Sequence, residues 1–293
     1  MKKDALSLLL TSIFLALPIF FFPFVHGIEV VQIIRDPDFE QGEAWLLRGW
    51  YSNYTHVLQN GVVYLNVSDN AGTFWVGCKA QQGSMPHGWS QAPPLQNTIT
   101  FTGDYKIFLE VKFKLGNWRF LKYPTQSENN LSWINFGVAF WFHRPGTVWS
   151  GNDSQMVVGA KIVWLKYNGQ TVDKQTQDIY FQGDVGNDLH SLFDVYDENP
   201  ANHDWVTVHV DMTPCIQKAM KHWNVENPTL MNVEVYLETI GGEGEVWIDR
   251  LNVYAALTSE PPHSLLQNEL VYALILLIII FACIIVFKGM MGK

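Results

Sequence analysis

Two pairs of carboxylates stand four residues apart in strand-like sequence. They are Glu234 and Glu238 in MNVEVYLETI, and Glu245 and Asp249 in GEVWIDRLNVYA. Residues i and i+4 of a strand share a face. Two carboxylates on one face are the raw material of glycoside hydrolysis, where one protonates the leaving oxygen and the other attacks the sugar or activates water. That chemistry needs the groups roughly 5 to 10 Å apart. Four residues at strand rise separate the Cα atoms by about 13 Å. No Glu-x-Asp-x-x-Glu triplet and no Gly-x-Ser-x-Gly elbow occurs. His190, His203 and Asp204 with Asp188 are spaced unlike a tight zinc motif and read as a solvated acidic loop. No catalytic set is expected from these residues.

The tryptophans offer a different chemistry. Exposed indoles stack on the C–H faces of sugars, while amides and carboxylates take the hydroxyls. Trp89 in SMPHGWSQAPP, Trp118 in KLGNWRF and Trp149 in RPGTVWSGN sit in loop-like sequence. Trp141 in VAFWFHRP alternates with Phe140 and Phe142 and is expected on the opposite, concave face of its sheet. These four are the candidate ligand-binding residues. Trp45, Trp75, Trp164, Trp205 and Trp247 lie in or beside strand patterns and are expected in the core.

The two ends give the expected location. Residues 1–27 start with Lys2 and Lys3 and run into LSLLLTSIFLALPIFFFPFV, the pattern of a secretory signal peptide; an uncleaved N-terminal anchor is the alternative. Residues 270–287 are uncharged and apolar, long enough for a transmembrane helix, and a short basic tail of residues 288–293 follows. Residues 257–269, with Pro261 and Pro262, read as a stalk. The expectation is a single-pass membrane protein whose residues 28–256 form one extracellular domain.

The chain carries 19 Lys and Arg against 28 Asp and Glu. Four of those lysines lie in the two ends, so the middle is more acidic still. Such a surface repels nucleic acid and suits neutral sugars or cations. Cys78 and Cys215 are the two cysteines outside the apolar ends, and in an oxidising compartment they are expected to pair. Asn53, Asn66, Asn130 and Asn152 each open an Asn-x-Ser/Thr sequon, so glycosylation is expected there.

Those residues need elements to hold them. The middle is a succession of short runs rich in Val, Ile, Phe, Tyr and Trp, broken by Gly, Asn, Asp, Ser and Pro. Strands are expected at 28–34, 61–67, 73–80, 97–102, 105–115, 132–142, 155–167, 178–183, 205–212, 231–240 and 244–255. In YKIFLEVKFKL, Tyr105, Ile107, Leu109, Val111 and Phe113 share one face and Lys106, Glu110, Lys112 and Lys114 the other, with Phe108 an exception. Period two with one wet face predicts an all-β, antiparallel jelly-roll sandwich. One helix is expected in DMTPCIQKAMKHWN, capped by Thr213 with Pro214 at its first position. Residues 116–131 and 184–204 read as long loops.

Two segments far apart in sequence match one known pattern. The first is Asp36-Pro37-Asp38-Phe39-Glu40-Gln41-Gly42 with Trp45. The second is Gly244-Glu245-Val246-Trp247-Ile248-Asp249-Arg250-Leu251-Asn252-Val253-Tyr254. Together they resemble the bracket of jelly-roll carbohydrate-binding modules of the galactose-binding-like β-sandwich class. The resemblance implies that the first and last strands are neighbours. It also implies a structural calcium held by Glu40 and Asp249, with Asp69 in VSDNAG a weaker third ligand. Two departures stand out: Asp36 replaces the usual Asn, and Arg250 stands where a second acid is common. Arg250 paired with Glu40 is the alternative to a metal. The function expected on this basis is non-catalytic recognition of a polysaccharide or glycoprotein glycan at the cell surface. The alternatives are a cell-envelope or adhesion subunit that binds protein, and a surface glycoside hydrolase or polysaccharide lyase.

Overall fold

The computed structural model describes residues 30–70, 75–86, 92–121, 132–150, 154–167, 172–174, 180–185, 188–194 and 204–257, with backbone alone over 166–194. The expected signal peptide, stalk and transmembrane segment, with Trp89, Asn130 and Asn152, lie outside these residues. Among the described residues no helix is long and apolar enough to cross a membrane. The described residues from Val31 onward form one compact unit, which holds the sandwich.

The elements follow in order: β1 (Val30–Gln32), β2 (Leu46–Trp50), β3 (Tyr54–Gln59), β4 (Val62–Ser68), β5 (Val76–Gly83), β6 (Ile99–Thr100), β7 (Tyr105–Phe120), β8 (Ser132–His143), β9 (Gln155–Tyr167), β10 (Val172–Lys174), β11 (Tyr180–Val185), β12 (Asp188–Asp194), β13 (Val206–Asp211), helix α1 (Thr213–Trp223), β14 (Thr229–Ile240) and β15 (Gly242–Leu257). They build two sheets. The first runs β13-β7-β15-β4-β3, with β1 beside β15. The second runs β11-β12-β9-β8-β14-β5-β2, with β10 beside β9 and β6 beside β14. The all-β jelly-roll sandwich is therefore present, with one correction: β12 pairs with β9 in parallel, so the second sheet is mixed.

Alternation decides which side chains fill the space between the sheets. From β7 come Ile107, Leu109, Val111, Phe113 and Leu115, and from β8 come Ile134, Phe136, Val138, Phe140 and Phe142, all buried. Phe108 breaks the pattern because it stacks on Tyr254 across the outer face, ring centroids 5.3 Å apart. In β15 the inward set changes phase, from Val246 and Ile248 to Leu251 and Val253, at a bulge between Ile248 and Arg250. Asn60 and Gly61, both at positive φ, turn β3 into β4. Trp45 is core as expected; Trp75 and Trp205 are not, being 49% and 43% exposed.

The segment before β2 lies against β15. Ile33 N–H donates to the Val253 carbonyl and Leu251 N–H to the Pro37 carbonyl, both at 2.9 Å. Asp36, at φ 48°, accepts from the Glu40 and Gln41 amides at 2.8 Å. That bend drops Phe39 into the core against Trp45, centroids 4.7 Å apart. The adjacency of the first and last segments is thus met.

Helix α1 contacts β7 and β9. Thr213 does not cap it: its hydroxyl accepts from Ile107 N–H, and Asp211 Oδ1 takes the Thr213 N–H at 2.9 Å. The expected disulfide is corrected too. Cys78 and Cys215 are free thiols. Cys78 is buried on β5 and donates to the Thr55 and Asn66 carbonyls, at 3.7 and 3.6 Å. Cys215 rides on α1. Burial pushes Cys78 up to about 12 and Cys215 to about 11.

Candidate active site

Strand β14 lies between β5 and β8 in the middle of the second sheet. Val233, Val235 and Leu237 point into the core, so Asn232, Glu234, Tyr236 and Glu238 point to the outer face. Register sets their neighbours. Glu238 stands between Gly77 and Asn135, Tyr236 between Lys79 and Gly137, Glu234 between Gln81 and Ala139, and Asn232 next to Trp141. Trp50 of β2 flanks Gly77 on its other side. Polar side chains that are usually wet are buried here: Lys79, Gln81, Asn135, Asn232 and Glu234 are each under 10% exposed.

Two glycines make room for rings laid across the sheet. A Cβ on Gly77 would stand 2.0 Å from Trp50 Cζ2, and one on Gly137 would stand 2.6 Å from the Tyr236 hydroxyl. Trp50 thus reaches from β2 over β5, and Tyr236 reaches from β14 over β8. A second, small apolar cluster forms on this face from Ala139, Val157 and Tyr236, with Trp50 and Trp141 packed on it.

The two glutamates have unlike surroundings. Glu238 Oε1 accepts from Asn135 Nδ2 at 3.1 Å, and Oε2 accepts from Trp75 Nε1 at 2.8 Å. Asn135 Nδ2 also donates to the Tyr236 hydroxyl, at 3.3 Å. Burial raises the Glu238 carboxyl to about 7. The hydrogen bonds from Asn135 and Trp75 work against that rise, the charge of Glu234 adds to it, and Lys79 opposes it. Glu234 is instead ion-paired with the Lys79 ammonium, both side chains about nine-tenths buried. Lys79 also lies 6.0 Å from the Trp141 ring centroid. Burial, then Glu238, holds the Tyr236 phenol well above its ordinary value. One carboxyl that keeps its proton near neutrality and one paired with a cation are the complementary halves of acid catalysis and nucleophilic or general-base catalysis.

The expected ligand-binding tryptophans divide between the sheets. Trp141 lies on this face, as its alternation predicts. Trp149 follows β8, its Nε1 donating to Ser84 Oγ at 3.1 Å and its ring edge-on to His143. Trp118 belongs to β7 in the other sheet and donates to the Glu245 carbonyl at 2.8 Å, so it shares no site with Trp141. The sequence reading sets Glu234 and Glu238 aside on spacing, places Trp75 in the core and passes over Lys79, Asn135, Tyr236 and Trp50. The four-residue spacing of the glutamates was the available signal.

The expected calcium ligands do not converge. Glu40 lies against the Asn60–Gly61 turn. Asp69 follows the far end of β4, seven residues beyond Val62 or roughly 23 Å at strand rise, where it accepts from Gly241 N–H. Asp249 pairs with Lys112, and Arg250 pairs with Asp38 and Glu110 rather than with Glu40. Among the described residues no group of three or more His, Cys, Asp or Glu is placed to hold a metal ion. Of the sequons, Asn53 is exposed in the turn after β2, while the Asn66 amide donates to Glu245 Oε1 at 3.1 Å.

No protein-family model matches the chain. No curated protein matches it either. Solved structures similar to it include a metagenome-derived glycoside hydrolase family 12 endoglucanase, at 11% identity over 77% of this chain and 93% of that one, TM-score 0.45. An endoglucanase from Rhodothermus marinus is 12% identical over 78% and 97%, TM-score 0.42. A family 12 xyloglucanase from Bacillus licheniformis is 10% identical over 71% and 99%, TM-score 0.39. The likeness is one of fold. The expectation of a non-catalytic glycan-recognition protein is corrected here. The face that carries Trp141 also holds two carboxyl groups in unlike surroundings, Glu234 paired with Lys79 and Glu238 raised to about 7.

Proposed function

We propose that this protein is a glycoside hydrolase acting on a polysaccharide laid across the outer face of the second sheet. Glu238 is the proton donor to the leaving oxygen. Glu234 is the partner that attacks the sugar or activates water. The observation that carries the proposal is the contrast between the two carboxyls on one face of β14: Glu238 raised to about 7, Glu234 paired with Lys79. Trp50 and Trp141 supply apolar floor on either side. The membrane-anchored, extracellular placement expected from residues 1–27 and 270–287 would put this activity at the cell surface. Release of new reducing ends from neutral polysaccharides by the full chain in detergent tests the assignment. Activity lost in both E234Q and E238Q, with folding intact, is the expected result; activity kept in either variant overturns it.

A further inference from the structure

Trp75 immediately precedes β5 and is half exposed. Its one polar atom, Nε1, faces inward and donates to Glu238 Oε2 at 2.8 Å. Its ring meets Trp50 edge-on, centroids 5.8 Å apart at 79°. The indole is therefore fixed at two points while much of its apolar surface remains in water. A large ring held rigid and left wet beside a partly buried carboxyl has the form of a stacking platform.

We infer that Trp75 is both the positioning residue for Glu238 and the platform on which the sugar next to the bond being broken stacks. This rests on the hydrolase assignment for Glu238. The two roles use different parts of the side chain. The N–H fixes the carboxyl and favours its charged form, since a donor stabilises an anion. The ring binds sugar and is indifferent to pH. The groups facing Glu238 are few among the described residues. Glu234 and Tyr236 are on its own strand, and Lys79 comes from β5. The register neighbour Asn135 of β8 and, beyond Gly77, Trp50 of β2 are uncharged, with Arg48 and Lys161 one row along.

Trp75→Phe keeps a ring and removes the donor, whereas Trp75→Ala removes both. In Trp75→Phe the Glu238 carboxyl is expected to titrate about half a unit to one unit higher. That shift is read by 13C NMR of Glu-labelled full chain and, independently, as an upward move of the alkaline limb of kcat/KM. KM should stay within about threefold of the wild type. In Trp75→Ala, which also removes the ring, KM rises about tenfold. An unmoved carboxyl resonance in Trp75→Phe, or an unchanged KM in Trp75→Ala, overturns the inference. A protein that hydrolyses no glycan but whose Glu238 titrates higher in Trp75→Phe supports the positioning role and overturns the hydrolase assignment instead.

Discussion

Glu234 and Glu238 share one face of β14, four residues apart, with Lys79 against the first and Trp75 and Asn135 against the second. The strand supplies the spacing. Its neighbours supply the difference in chemistry.

The Lys79–Glu234 pair is largely buried, so losing one partner strands the other. Lys79→Met is expected to cost about 3–5 kcal/mol in urea unfolding at neutral pH. The double variant Lys79→Met with Glu234→Gln should recover most of that. A single variant as stable as the wild type would contradict the pairing.

Much of this fold was legible in the sequence. Strands β7, β8, β9, β14 and β15 declare themselves by period two, and Trp141 was placed on the outer face by its alternation with Phe140 and Phe142. Strands β2 and β3 were missed because LLRGW and YTHVLQ alternate poorly and meet at a polar turn. Strand β12 reads as loop in sequence because Asp188, His190 and Asp194 resemble a solvated run. The glutamate pair was visible but set aside on Cα spacing. What the sequence could not display is the cross-strand register that puts Lys79 beside one carboxyl and Asn135 beside the other. Trp75 reads as core in sequence because propensity does not distinguish a strand residue from one just ahead of it.

Glu238 makes stability depend on pH with a definite sign. Its folded value, about 7, lies above the ordinary 4.5. Between these the folded state holds a proton that the unfolded chain has lost, so stability falls as pH rises through that window. Glu238→Gln should therefore match the wild type near pH 4 and exceed it by roughly 1–3 kcal/mol at pH 8. Thermal melts across that range check it; equal melting temperatures at pH 8 would contradict it.

Gly137 has no slack. An added Cβ would meet the Ala160 carbonyl at 2.7 Å as well as the Tyr236 hydroxyl, and backbone does not swing aside. Gly137→Ala is expected to destabilise by about 2–3 kcal/mol. At Gly77 the obstacle is the Trp50 ring alone among the nearest atoms. Trp50→Ala should therefore relieve much of the cost of Gly77→Ala, measured as a double-mutant cycle in urea. Simple additivity would argue against the ring lying over Gly77.

Cys78 and Cys215 should both take up an alkylating reagent after denaturation without reductant, read by peptide mass. In the native protein they should react slowly near pH 8, because burial holds both thiols far above that pH. A linked Cys78–Cys215 peptide would contradict the free-thiol arrangement.

The most direct test of the central claim is a chemical rescue of Glu234→Ala by azide on an activated aryl glycoside of whichever glycan the wild type cleaves. Removing the carboxylate should lower turnover by about a thousandfold or more, and azide should restore a large part of it by occupying the vacated side of the sugar. Wild-type turnover in Glu234→Ala without azide would show that the Glu234–Glu238 pair does not carry the reaction.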